Sequence, residues 1–210
     1  LLDDLSIEIE QLVSAVYEND PETRVLYYDG EKIKNAKAGN EEIAVNECCS
    51  ALYPFTPEIN NEMVNRAVIA TTQTKKARIN IIQTILSHSD TPDFYEGSNQ
   101  EATIYRALFI VTRIIEGGAK ENIKRVIDEI NKYVDSCCNQ KVRLTNIVKK
   151  LAREPYGMRA GLVPFYLAYV LANRREDIIV YFSDKELQIT PDIIINMCEQ
   201  PEDYSMYVSK

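Results

Sequence analysis

The stretch KVRLTNIVKKLAREPYGMRAGLVPFYLAYVLANRREDIIVYF, residues 141–182, decides the fold. Residues 142–143, near its start, are predicted to form a short extended segment. Residues 144–153 then repeat apolar side chains at the three- and four-residue spacing of a helix. The break EPYGM, residues 154–158, contains a Pro and a Gly, which favour a tight turn. A second helix is predicted over 159–173.

Short β elements follow that second helix. Residues 178–182 predict a strand, and residues 187–190 predict a second strand after a turn. Thr190 and Pro191 suit the cap and the first turn of a short helix. A last strand is predicted over 204–208.

Together these elements give the order helix, turn, helix and β-hairpin, which is typical of a winged helix. Residues 119–136 supply the first helix of that order, with inward-facing apolar side chains such as Ile123 and Ile130. We therefore predict a winged-helix-like domain over residues 118–210.

Residues 1–117 are expected to form a separate helical domain. Asp29-Gly30 predicts a short β-hairpin near residues 25–34. A helix capped by Asn60 or Asn61 should run to about Ser87, with its polar middle, residues 71–78, at the surface. The remaining helices are expected at 4–18, 40–53 and 101–116. The predicted fold class is thus mainly α with small β elements, a helical bundle followed by a winged-helix-like unit.

The helix predicted over 101–116 has a regular apolar pattern. Gly117 and Gly118 are expected to end it. Its buried face is expected to consist of Ile104, Ala107, Leu108, Val111, Ile114 and Ile115.

Basic residues concentrate in the stretch 141–175. It holds eight Lys or Arg against the single acid Glu154, a balance of +7, whereas the whole chain carries −8 and the other residues therefore sum to −15. Such a patch on an acidic protein is typical of a phosphate-binding surface. The candidate nucleic-acid-binding residues are Lys141, Arg143, Lys149, Lys150, Arg153, Arg159, Arg174 and Arg175.

The candidate recognition helix argues against sequence-specific reading of DNA. Its sequence, GLVPFYLAYVLAN, is apolar nearly all round, whereas a recognition helix presents polar side chains to base edges. Only Arg159, Tyr166 and residues 173–175 are placed to reach a groove. We therefore favour a packing or regulatory winged helix over a DNA reader, with non-specific contact to the DNA backbone left open.

Composition indicates a soluble globular protein, with 45% hydrophobic and 27% charged residues. The longest apolar run, 162–172, is too short to span a bilayer, and no signal peptide is recognisable, so a cytoplasmic location without membrane contact is expected. The sequence begins at Leu1, and we expect it to be part of a longer chain.

The five Cys include two adjacent pairs; reduced thiols are expected, with a vicinal disulfide as the alternative.

No catalytic set is recognisable, and no cofactor or metal is predicted. A single histidine, His88, disfavours a metal cage or a Ser-His-Asp triad. Asp90, Asp93 and Glu96 lie near it in sequence and would be the basis of a small hydrolase or nuclease, the third alternative. A solvated loop is the expected outcome there.

Three segments carry a resemblance to a known family. They are PYGMRAGLVPFYLAYVL at 155–171, IIVYF at 178–182 and PEDY at 201–204. This pattern resembles one found late in very large bacterial P-loop ATP-binding proteins of phage-exclusion (BREX-type) and related defence systems. TPEINNEMVNR at 56–66, which follows VLYYDGEKIK, resembles an upstream stretch of the same proteins, and the segments cover about half of the chain.

The resemblance implies a region downstream of an ATPase core that acts in regulation, oligomerisation or DNA handling. Its partner would be the rest of a larger polypeptide or another protein, with DNA as a further candidate. The chain departs from the ATPase part of such proteins because it has no GxxxxGK[ST] loop to hold a triphosphate. Any ATP hydrolysis would therefore belong to sequence outside this segment.

Overall fold

The computed structural model describes residues 2–15, 27–28, 30–32, 41–65, 71–87, 96–174 and 178–209. It divides into two compact units, residues 1–52 and 53–210. The boundary predicted between residues 117 and 118 falls inside the second unit. The division lies earlier in the chain because helices from both sides of residue 117 share one apolar core.

Two helices and a hairpin lie in the described residues of the first unit. These are α1 (Leu2–Val13), β1 (Tyr27–Tyr28), β2 (Glu31–Lys32) and α2 (Glu41–Leu52). Tyr28 pairs with Glu31 in antiparallel register, and Gly30 adopts a positive φ of 78°. The predicted hairpin around Gly30 is confirmed, since glycine accepts that backbone conformation at little cost.

The second unit is mainly helical. Its α-helices are α3 (Glu62–Asn65), α4 (Thr72–Leu86), α5 (Gln100–Tyr105), α6 (Glu121–Ser136), α7 (Thr145–Ala152), α8 (Val163–Asn173) and α9 (Pro191–Glu199). Thr71 is extended and its side chain accepts from the Thr74 amide, so α4 has a start of its own. The predicted cap at Thr190 is confirmed, since its hydroxyl accepts from the Ile193 amide.

A π-helical turn, Arg106–Ile110, follows α5 and changes which side chains are buried. A π-turn takes one more residue than an α-turn, so it rotates the residues that follow it. Ile114 is 4% exposed, whereas Val111 is 59% and Ile115 is 40% exposed. The predicted helix over 101–116 with its end at Gly117 and Gly118 was wrong, because helical structure ends at Ile110, residues 111–117 form turns and Arg113 adopts a positive φ of 60°. Val111 and Ile115 therefore do not belong to the buried face.

A four-stranded antiparallel sheet completes the second unit. Its strands are β3 (Val142–Arg143), β4 (Ile178–Phe182), β5 (Lys185–Leu187) and β6 (Tyr204–Val208), in the order β3-β6-β4-β5. The second strand of the hairpin therefore spans residues 185–187, whereas it was predicted at 187–190. The last strand, β6, lies in the middle, where Met206 pairs with both Val142 and Val180. Alternate residues of β4 and β6 face the core.

Candidate functional site

Helix α8, the candidate recognition helix, is the most buried helix of the second unit. Nine of its residues are buried, including Phe165, Tyr166 and Leu171. It packs against α4, α6 and α9, so three other helices surround it. The helix begins at Val163 and not at the predicted residue 159, and Pro164 sits in its first turn. A helix enclosed in this way has no polar side to present to base edges.

Tyr166 does not reach the surface, which corrects the expectation that it could contact a groove. Its side chain is fully buried, with its ring centroid 6.4 Å from that of Phe109. The hydroxyl makes no hydrogen bond with any described residue, and burial raises the pKa of the phenol. Tyr166 therefore acts as a large core side chain, because the apolar repeat of α8 turns it inward.

Three of the eight candidate cations are paired with carboxylates from elsewhere in the second unit. Lys150 contacts Glu129 of α6, with Nζ 2.5 Å from Oε1. The Glu129 side chain is 9% exposed and also accepts a hydrogen bond of 3.0 Å from the Tyr156 hydroxyl. Burial alone would raise the pKa of Glu129, but the hydrogen bonds from Lys150 and Tyr156 and the charge of Lys150 lower it overall.

The other two paired cations lie at opposite ends of the basic stretch. Lys141 Nζ is 3.8 Å from Oδ1 of Asp184 and 3.7 Å from the ring centroid of Tyr181. Arg174 Nη1 is 2.7 Å from Oδ1 of Asp135 at the end of α6. The local balance of +7 in the sequence therefore overstates the charge that this surface offers, since these acids lie outside the stretch 141–175.

Four of the candidate cations are exposed and make no ion pair with a described residue: Arg143, Lys149, Arg153 and Arg159. Arg143 lies on β3, at the edge of the sheet. Lys149 and Arg153 are one turn apart at the end of α7. The Met158 amide donates to the Leu151 carbonyl at 2.7 Å, which returns the chain to α7 just before Arg159. Arg175 lies outside the described residues.

Cations at the end of α7 also have a structural role. The carboxyl end of a helix carries partial negative charge, which Lys149 and Lys150 in the last turn offset. The arrangement of Lys149, Arg153 and Arg159 thus stabilises a helix end and leaves positive charge at the surface. It can attract a phosphate backbone, but it offers no planar pair of donors fixed by neighbouring groups for a base edge.

The EPYGM turn is a docking point for an upstream segment. The Phe55 amide donates to the Pro155 carbonyl at 3.1 Å, and the Thr56 hydroxyl donates to the Tyr156 carbonyl at 2.7 Å. Gly157 has a φ of 52°, and a Cβ there would lie 2.6 Å from Cδ1 of Tyr53. The glycine of this turn is therefore explained by packing against Tyr53, and backbone carbonyls of the turn hold residues 55 and 56 in place.

Two buried charged residues were missed by sequence reasoning. Arg78, expected at the surface, is buried, and its Nη1 lies 3.1 Å from Oε1 of Glu199 at the end of α9. Glu129 is buried between Val126 and Tyr133 on α6. Glu129 follows Val126 by three residues and precedes Tyr133 by four, and this helical spacing could have predicted that it is buried.

The described residues show no cluster of carboxylates that supports the hydrolase alternative. His88, Asp90 and Asp93 lie outside the described residues, and Glu96 is exposed. Within the described ranges, no group of three His, Cys, Asp or Glu side chains is placed to hold a metal ion. The same part of the chain contains no helix with the length and apolar character that a bilayer crossing requires.

The five cysteines are free thiols in the structure. Burial raises the pKa of Cys137 to about 11 and that of Cys198 to about 12. A thiol with a raised pKa carries little thiolate near neutral pH, so these two side chains are suited to packing and poorly suited to nucleophilic chemistry.

Comparison with known proteins identified no matching family model, no similar curated protein and no similar solved structure.

Proposed function

We propose that this chain is a non-catalytic regulatory or interaction region of a larger ATP-dependent protein of phage defence, acting in the cytoplasm. In this proposal the second unit serves to pack against other parts of the polypeptide or a protein partner. The burial of α8 is the observation that carries it, because the one helix placed to read DNA in a winged helix is used as core.

The order of elements from α6 onwards supports a winged-helix-like arrangement. Helix α6 is followed by β3, then by α7 and α8, and then by the β4–β5 hairpin. The strand β6 pairs with both β3 and β4, which ties the first strand to the hairpin. Helix α9 and strand β6, which follow the hairpin, are additions to the simple pattern of three helices and a wing.

The charge of the hairpin also favours protein packing over DNA binding. Its turn contains Asp184, and Glu186 follows on β5; both are exposed. The Ser183 amide donates to the carbonyl of Asp203 at 3.0 Å, which brings a further acidic residue near the turn. A wing that contacts DNA lies against phosphates. Lys141 offsets Asp184, and Lys185 is also exposed on β5, so Glu186 and Asp203 leave a small excess of negative charge that disfavours such contact.

The link to ATP-dependent defence proteins rests on the resemblance of residues 155–171, 178–182 and 201–204. The contacts of the EPYGM turn with residues 53–56 offer a packing reason for that pattern, next to the resembling segment 56–66. The full-length protein tests this link. A longer chain with a P-loop domain and ATPase activity is expected, and a longer chain without any nucleotide-binding domain would remove it.

Non-specific contact with the DNA backbone is the alternative, and it is favoured by the four exposed cations that make no ion pair within the described part of the chain. Phosphate neutralisation by Lys and Arg makes binding weaken steeply with salt. A gel shift with the 210-residue chain and duplex DNA at low and moderate salt measures this. If the alternative holds, Lys149→Glu with Arg153→Glu abolishes a salt-dependent shift that does not depend on sequence.

A matched control is available on α4. Lys75→Glu with Lys76→Glu changes the net charge equally at two exposed positions far from α7 in sequence. Equal loss of binding in both double variants would assign the effect to overall charge. Absence of any shift at low salt would end the DNA alternative and leave the packing role.

A hydrolase or nuclease remains the third candidate, and its test is independent of DNA binding. Asp93→Ala and Glu96→Ala remove the carboxylates that such an activity would use. Any hydrolytic activity of the chain that survives both substitutions would exclude this cluster as its source.

A further inference from the structure

Helix α1 exposes an apolar stripe. Leu5, Ile9 and Leu12 are each more than half exposed, and Val13 beside them is 47% exposed. Their spacing of four and three residues places them along one side of the helix. An exposed contiguous apolar surface on a water-soluble chain marks an interaction site when it is bordered by polar groups.

Acidic residues border this stripe. Glu8 and Glu10 are both exposed and flank the apolar line on its two sides. The first basic residue of the sequence is Arg24, and the residues before it include Asp3, Asp4, Glu8, Glu10, Glu18, Asp20 and Glu22. Glu8 and Glu10 therefore make the borders of the stripe negative, and a partner with positive charge beside its own apolar residues would be attracted to it.

The apolar pattern itself fits a helix. Ile9 occupies the first core position of a heptad, and Leu5 and Leu12 occupy the fourth, which is the combination that favours pairing of two helices. Ile9 and Val13 also line, with Glu10, an open groove of about 430 Å3 along α1. A helical partner fills such a surface with side chains from every third or fourth position.

We propose that α1 docks a partner helix whose apolar stripe is flanked by Lys or Arg. A second copy of the chain fits less well, because two α1 helices would bring their acidic borders together without any compensating base. An anionic lipid surface is disfavoured for the same reason. The proposal uses residues of the first unit alone, so it does not depend on DNA binding.

Binding of designed peptides to the 210-residue chain tests the proposal. One helical peptide carries Ile and Leu at the core positions of three heptads and Lys at the flanking positions; its counterpart carries Glu at the flanking positions. We expect fluorescence anisotropy to detect the Lys peptide, with affinity that falls as salt rises, and to detect the Glu peptide at least about tenfold more weakly.

Substitutions in α1 test which of its side chains contact the peptide. Ile9→Ser with Leu12→Ser is expected to weaken the Lys peptide by at least about tenfold, since two apolar contacts are lost. Ile7→Ser is the control, because Ile7 is equally exposed but lies on the opposite side of α1. Circular dichroism checks that each variant keeps its helix content.

Three results would overturn the proposal. Equal affinity for the Lys and Glu peptides would remove the charge argument, and equal loss in Ile7→Ser and in the double variant would remove the stripe. Self-association of the chain that Ile9→Ser with Leu12→Ser abolishes, measured by sedimentation, would show that a second copy is the occupant.

Discussion

The ammonium nitrogen of Lys150 lies 2.5 Å from Oε1 of Glu129, a carboxylate that α6 holds in the core of the second unit. The Tyr156 hydroxyl donates to the other oxygen of the same carboxylate, and burial together with Glu129 raises the pKa of Tyr156 to about 12. One residue of the basic stretch therefore serves as an internal counter-charge between α6, α7 and the EPYGM turn.

Removing Lys150 is expected to destabilise the protein. Lys150→Met leaves the Glu129 carboxylate buried with one charged partner fewer, so the free energy of unfolding should fall by about 1–3 kcal/mol. Lys149→Met is the control, since Lys149 is exposed and makes no ion pair with a described residue, and its effect should stay within about 0.5 kcal/mol. Urea unfolding monitored by circular dichroism measures both, and equal effects would contradict the account.

The same carboxylate predicts a pH dependence. The pKa of Glu129 is lowered on folding from its ordinary value of 4.5. Its contribution to stability is therefore fully present above that value and is lost as pH falls through the lower folded value. Glu129→Gln should lose stability at neutral pH and show a shallower fall in acid. An unchanged acid slope in Glu129→Gln would mean that Glu129 is not one of the groups responsible.

Gly157 should tolerate no side chain. Gly157→Ala combines a positive φ, which costs about 1–2 kcal/mol, with a Cβ 2.6 Å from the Tyr53 ring. Overpacking adds about 1–3 kcal/mol, so Gly157→Ala should lower the free energy of unfolding by at least about 2 kcal/mol.

Two other glycines separate the causes of that loss. Gly117 has a positive φ but open space around it, and Gly118 has open space with no positive φ. Gly117→Ala should cost only the backbone part, about 1–2 kcal/mol, and Gly118→Ala almost nothing. If Gly157→Ala cost no more than Gly117→Ala, the Tyr53 contact would not be a constraint on residue 157.

The π-helical turn predicts opposite behaviour for two adjacent isoleucines. Ile114 is buried and Ile115 is 40% exposed, although both were expected in the core. Ile114→Ala should lower the free energy of unfolding by about 2–5 kcal/mol. Ile115→Ala should lower it by less than about 1 kcal/mol. Thermal and urea unfolding of the two variants measure both losses, and a loss in Ile115→Ala as large as that in Ile114→Ala would indicate that both side chains are buried, as in a continuous α-helix.

Local signals in the sequence predicted several elements of the second unit. Strand β4 begins and ends where it was predicted, and the cap at Thr190 and the last strand, β6, are confirmed. These features depend on neighbouring residues alone, such as a Thr-Pro cap or a run of β-branched and aromatic residues. The burial of Phe165 followed from an apolar pattern that covers every side of α8.

Relationships between distant residues could not be predicted. The central position of β6, the contact of Tyr53 with Gly157 and the pairing of Lys150 with Glu129 each join segments far apart in the chain. The basic stretch consequently looked more charged in sequence than its surface is, because Glu129, Asp135 and Asp184 come from elsewhere. The π-turn has no sequence signal that distinguishes it from an α-turn.

The central claim is that α8 is core and does not face nucleic acid. Hydrogen exchange of the α8 backbone amides, Phe165 to Leu171, measured with and without duplex DNA, tests it most directly. The account predicts that these amides are among the slowest to exchange in the protein and that DNA leaves their rates unchanged. Fast exchange in the free protein, or protection of α8 that appears only with DNA, would contradict it.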